Sequence, residues 1–103
     1  MTMIVIATVS PIPQYRAEVI AAIETAIEQV HAEEDDCLLY ALHEAPDRLV
    51  MIEKYASNEA MAAHRAVAGL ANLVKTLDGK LSIPMDVQIL SPHPAGSLQK
   101  GAL

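Results

Sequence analysis

Apolar positions recur along this chain with two different periods, and the switches between them mark its elements. MIVIATV (residues 3 to 9) is rich in β-branched residues and stops at Pro11 and Pro13, which predicts a strand and a turn. From Gln14 to about Ala32, Ile20, Ile23, Ile27 and Val30 return at helical spacing while Arg16, Glu24 and Glu28 point elsewhere, as in an amphipathic helix. The acidic run Glu33 to Asp36 ends it. CLLYALH (37 to 43) then predicts a second strand, and Ala45-Pro46-Asp47 a turn into RLVMIEKY (48 to 55), the third. Ser57 is a good N-cap for a helical region starting at Asn58, with a break expected near Ala68-Gly69 and a resumption through Leu70, Leu73, Val74 and Leu77. Asp78-Gly79 supplies the stop, and Pro84 opens MDVQIL (85 to 90), the last strand.

The order β-α-β-β-α-β predicts an α+β fold of the ferredoxin-like kind, a four-stranded antiparallel sheet with both helices on one face. Both parities of strand two are apolar, Cys37, Leu39 and Ala41 against Leu38, Tyr40 and Leu42, so the open sheet face also needs cover. A second copy of the chain is the simplest cover, giving a homodimer with two sheets facing each other. Residues 1–90 form the expected domain. The tail 91–103, with two prolines and two glycines, continues neither element and is expected to pack on the partner subunit.

A length of 103 residues suits one domain, and 52% hydrophobic with only 3% aromatic residues means a core of Ala, Ile, Leu, Val and Met. The formal net charge of -6 gives polyanions no footprint, so nucleic acid is excluded as a partner. Cys37 stands alone, which rules out an internal disulfide and fits a reducing compartment. No apolar run is long enough to span a bilayer, and MTMIVIATVS lacks a basic start, so a cytoplasmic protein without membrane contact is expected.

In strand three the period of two puts Leu49, Met51, Glu53 and Tyr55 on one face and Val50, Ile52 and Lys54 on the other. A carboxylate among Leu and Met is partly desolvated, which makes Glu53 either a useful proton acceptor or a structural group needing a partner. His64, near the end of the first segment of the second helical region, is either a group exchanging protons near neutral pH or a stabiliser of the helix C-terminus. His43 closes strand two and is a weaker candidate; His31 and His93 read as solvated. No histidine pair at i, i+4, cysteine cluster or glycine-rich phosphate loop is present, so neither a metal nor a cofactor is expected. Any chemistry falls to Glu, Tyr and His in a pocket that Met51, Met61 and Met85 either line or pack beneath.

The segments CLLYALH and MIEKYASNEAMAAH resemble the antibiotic biosynthesis monooxygenase family, its Cys-Leu-x-Tyr-x-Leu-His strand and its strand-Glu-x-aromatic followed by a helix ending in His. The likeness runs from residue 3 to about 90. It implies a dimeric α/β barrel with a pocket in each subunit, and an activity of some members: oxidation of a phenolic or quinol substrate by molecular oxygen without metal or flavin. On that resemblance His64, Glu53 and Tyr55 are the catalytic candidates, with His43, Tyr40, Met51 and Met61 as substrate-binding residues. Tyr55 stands where many relatives carry tryptophan. The haem-degrading relatives' histidine, asparagine and tryptophan set is not matched, which disfavours haem. The alternatives are a small-molecule isomerase on the same scaffold, or a ligand-binding, stress-response dimer without catalysis.

Overall fold

The computed structural model describes all of residues 1–103. Strand β1 (Met3–Val9) is followed by a 3-10 turn (Pro13–Tyr15) that leads into helix α1 (Arg16–Glu33), so the α-helix starts two residues later than its periodicity predicts. Pro13 accounts for this, because its fixed φ suits a tight first turn. Strands β2 (Cys37–Ala45) and β3 (Arg48–Tyr55) form a hairpin, and helices α2 (Asn58–Arg65) and α3 (Ala68–Leu77) precede strand β4 (Asp86–Leu90). The helical break falls at Ala66-Val67, just before the expected Ala68-Gly69. Val67 is extended (φ -75, ψ 144) and serves as the cap of α3, so Gly69 lies inside a helix.

The sheet order is β2-β3-β1-β4, antiparallel throughout. Both helical layers lie on one face, as expected for the ferredoxin-like α+β fold. The stripe that α1 buries is Val19, Ile23, Ala26 and Val30, an i, i+4, i+7, i+11 line. Ile20 and Ile27 sit on its shoulder, only partly covered, because the smaller Val19 and Ala26 let the helix approach the sheet more closely. That stripe packs on Ala7, Val9, Leu49 and Met51, and Leu77 closes the cluster from α3. Leu49 and Val19 are fully buried, and a leucine or valine so placed contributes about 1.5–3 kcal/mol. Arg16 ties the hairpin turn to the start of α1, donating to the carbonyls of Ala45 (2.9 Å) and Pro46 (3.3 Å).

Register decides which side chains reach the helical layer. Val5 pairs with Glu53, Ala7 with Met51 and Tyr40 with Glu53, so all of these face the helices. A bulge between Cys37 and Leu39 sets Cys37 opposite Tyr55 but Leu39 opposite Lys54. Cys37 therefore joins the helical face, while Leu39, Ala41 and His43 turn to the open one, against the single parity that the sequence predicts for all four. The open face keeps Ile6 and Ile52 half-buried and includes Leu90 of the edge strand β4, whereas Val87 and Ile89, opposite Ala7 and Val5, lie on the helical side; all three β4 residues are between 43% and 49% exposed. At its far end the tail returns to the open face, where Lys54 Nζ donates to the Leu103 carbonyl at 2.6 Å. No helix is long and apolar enough to cross a membrane.

Candidate active site

The alternation of β3 places Leu49, Met51, Glu53 and Tyr55 beneath the helices, and all four are buried. Residues two apart on one strand face point the same way, and Tyr55 Oη donates to Glu53 Oε1 at 2.5 Å. This bond answers why a carboxylate interrupts an apolar strand: it has a donor beside it. Burial nevertheless dominates and holds the Glu53 carboxyl above its ordinary range, opposed by the Tyr55 hydrogen bond and by the nearby His64 and Arg65 charges. Burial, reinforced by the Glu53 charge, keeps the Tyr55 phenol protonated far above its usual value, and the Tyr40 phenol is shifted the same way for the same reasons.

Helix α2 begins at Ser57, whose Oγ accepts from the Ala60 amide at 3.1 Å, a hydrogen-bonded N-cap. Starting there, the helix delivers His64, its one buried residue, to the end of β3. The imidazole lies between two phenol rings, 5.2 Å from Tyr40 at 59° and 5.4 Å from Tyr55 at 42°. Its Nδ1 is 2.8 Å from Glu34 Oε1. Glu34 stands just past the end of α1, whose C-cap it forms, so the acidic run read only as a helix stop also supplies a partner to the site.

Tyr40, Glu53, Tyr55 and His64 share one cavity of about 220 Å³ between sheet and helices. Seventeen residues line it and fourteen are hydrophobic; the other three are Glu53, His64 and Arg65. Tyr40, Tyr55, Met51, Met61 and Met85 are in its wall, and Val74 and Val87 lie at its more exposed side. An apolar cavity of about 150 Å³ takes a benzene ring, so this one has room for a one- or two-ring aromatic molecule.

His43 is the correction. It pairs with Val50 on the open face, is exposed, and is absent from the cavity wall, because the bulge at Cys37–Leu39 turns its parity away. His31 is exposed as expected, yet its Nε2 donates to the Tyr40 carbonyl at 3.0 Å and ties β2 to α1. Besides Glu34, sequence reading missed Arg65, next to His64 in the cavity wall; Cys37 lies outside that wall, and burial pushes its thiol up to about 11. Adjacency to His64 was the available signal for Arg65; for Glu34, thirty residues from its partner, there was none. No three His, Cys, Asp or Glu side chains group closely enough to hold a metal ion.

Residues 2–75 match the family model described as antibiotic biosynthesis monooxygenase. Among solved structures, protein Rv0793 of Mycobacterium tuberculosis is 29% identical, with a TM-score of 0.86 over 94% of this chain and 100% of that one. A Caulobacter crescentus protein named as a candidate antibiotic biosynthesis monooxygenase is 22% identical, with a TM-score of 0.83 over 86% of this chain and 87% of its own. A conserved protein of Methanosarcina mazei is 18% identical, with a TM-score of 0.81 over 87% and 91%. At such identity the latter two establish the fold alone. No curated protein matches the chain.

Proposed function

The chain belongs to the antibiotic biosynthesis monooxygenase family, and on that premise we propose that it is a cofactor-independent monooxygenase oxidising a small phenolic or quinol compound with molecular oxygen. Membership supports a general monooxygenase-like role. The narrower proposal rests on one observation: Glu53, Tyr55 and His64 converge on the wall of a single cavity whose lining is otherwise hydrophobic apart from Arg65.

The chemistry asked of the protein is modest. A phenol loses its proton to a base, the electron-rich anion passes an electron to oxygen, and the radical pair combines to a peroxide that collapses to a quinone. One oxygen atom enters the ring; the other leaves as water with two hydrogens from the substrate, one from its hydroxyl and one from the ring carbon that is oxygenated. In this reading His64 takes the phenolic proton, and Glu53, held above the ordinary carboxylate range, takes and returns a proton during collapse. Tyr55 holds the ring or a hydroxyl, Tyr40 supports the imidazole, and Met51 and Met61 provide the dry surface against which the ring is oriented.

The reading extends to assembly. The half-buried Ile6 and Ile52 and the exposed Leu90 of β4, all on the open face, fit a homodimer in which two sheets face each other. A monomeric mass in sedimentation at micromolar concentration would reject that part. Oxygen uptake with a panel of dihydroxynaphthalenes and hydroquinones tests the activity. Consumption with quinone formation is the expected result; ligand binding with no oxygen consumed would leave a binding protein instead.

A further inference from the structure

The monooxygenase reading gives His64 the role of base but leaves open which nitrogen does the work, and a neutral imidazole offers only one. The structure constrains the choice. Nδ1 is 2.8 Å from Glu34 Oε1, and the two side chains are mostly buried, 7% and 16% exposed. An ionised carboxylate can only accept, so in the neutral ring Nδ1 carries the proton and Nε2 the lone pair. Nε2 has no hydrogen-bond partner in the chain, and no side-chain nitrogen or oxygen is both sealed from solvent and unpartnered, so Nε2 is open to solvent-sized space.

A second cavity points the same way. It holds about 100 Å³ behind the imidazole, and Glu34, Tyr40 and His64 are in its wall; Tyr40 and His64 also line the larger cavity, whereas Glu34 does not. The ring is thus a partition. One nitrogen is held by a carboxylate outside the larger cavity, and two phenol rings stand 5.2 and 5.4 Å from the imidazole. Glu53 does not compete for this duty, because its carboxylate takes the Tyr55 hydroxyl.

We propose that Glu34 is the positioning residue of a Glu34–His64 dyad: it fixes the imidazole as the Nδ1–H tautomer, presents Nε2 to the substrate cavity as the base, and stabilises the imidazolium formed when a phenol gives up its proton. The substrate O–H bond breaks, the Nε2–H bond forms, and the Nδ1–H bond persists against Glu34. The two carboxylates thereby divide the work, Glu34 acting through the imidazole and Glu53 facing the ligand. This inference deepens the proposed reaction and rests on it for its kinetic part alone.

Nitrogen-15 NMR of histidine-labelled protein, at a pH where the ring is neutral, tests it without any substrate. Wild type is expected to show His64 Nδ1 as the protonated and Nε2 as the unprotonated nitrogen. E34Q keeps an oxygen acceptor and should keep this tautomer, whereas E34A should let His64 shift toward the Nε2–H form that a free imidazole prefers. With a turning-over substrate, E34A is expected to lower kcat about 100-fold, the low end of what a positioned base contributes, with KM within about twofold because Glu34 lies outside the substrate cavity. E33A, at the exposed neighbouring position, should change neither reading. A His64 tautomer that is the same in E34A and wild type, or that is Nε2–H in wild type, overturns the dyad whether or not oxygen is consumed. Failure of oxygen uptake with the tautomer as described overturns only the reaction assigned to the site.

Discussion

Replacing Tyr55 by Phe isolates the bond on which the site's electrostatics turn. The ring is 1% exposed and its packing survives the change; what disappears is the hydroxyl that donates to Glu53, itself 6% exposed, at 2.5 Å. No other side chain donates to that carboxylate. When Glu53 is ionised the bond is a charged one, contributing about 1.5–3 kcal/mol; when it is protonated the bond is neutral and contributes about 0.5–1.5 kcal/mol. Burial raises the folded-state titration of Glu53 above the ordinary 4.5, so the folded protein holds this proton more tightly than the unfolded chain does. Its contribution to stability is complete below about 4.5 and is lost as pH rises through the folded value. Because the Tyr55 bond pulls that value down, Y55F moves it further up and deepens the loss. Y55F should therefore cost about 1 kcal/mol at pH 4, where Glu53 is protonated, and about 2 kcal/mol once pH exceeds its folded-state titration, the latter roughly 8–16 °C in Tm for a domain of this size. Thermal and urea melts at fixed protein concentration, run also on E53Q and the double variant, measure it. A Y55F cost that is the same on both sides of that titration, or a coupling with E53Q below about 0.5 kcal/mol on its alkaline side, would refute the argument.

Three further outcomes follow from the same structure. Ser57→Ala removes the only side-chain cap of α2 and should cost about 1 kcal/mol in a urea melt, while lowering order around His64 in amide exchange. Cys37, half-buried and shifted up to about 11, should react with a disulfide reagent at pH 7.5 much more slowly than free cysteine, and speed up as pH approaches 11. Val74→Trp, at a side chain 55% exposed beside the cavity, should weaken aromatic ligand binding at least about tenfold by calorimetry. Its melting temperature should stay within a few degrees, since a largely exposed position adds no strain to the core.

The local part of this molecule is legible in its sequence, and the non-local part much less so. Period two along β3 puts Glu53 beside Tyr55, and a Ser cap at residue 57 phases α2 so that His64 turns inward; both follow from a few adjacent residues. His43 fails by the same rule that succeeds for Glu53. Strict alternation in β2 is broken by a bulge at Cys37–Leu39 that no turn residue announces, and every later parity assignment for the strand is reversed relative to Cys37. Glu34 shows the other limit. Within Glu33-Glu34-Asp35-Asp36 nothing singles it out, and only the packing of α2 against the end of α1 brings it to His64. Glycine is the stronger local signal and draws the expected break toward Gly69, yet the break falls at Ala66-Val67 and a glycine fits inside α3, where an added Cβ would come within 2.6 Å of Gln29 Oε1.

Oxidation of a phenol without a cofactor requires that this cavity bind the phenol and take its proton. Mixing the protein with a dihydroxynaphthalene under nitrogen, then admitting oxygen, separates the two steps by absorbance. Wild type should develop a phenolate band without oxygen and a quinone band once oxygen enters, and H64A/E53Q should bind the ligand and develop neither. A quinone band that grows at the wild-type rate in H64A/E53Q, or a ligand that remains neutral and unreacted in the wild-type cavity, would contradict the proposed chemistry.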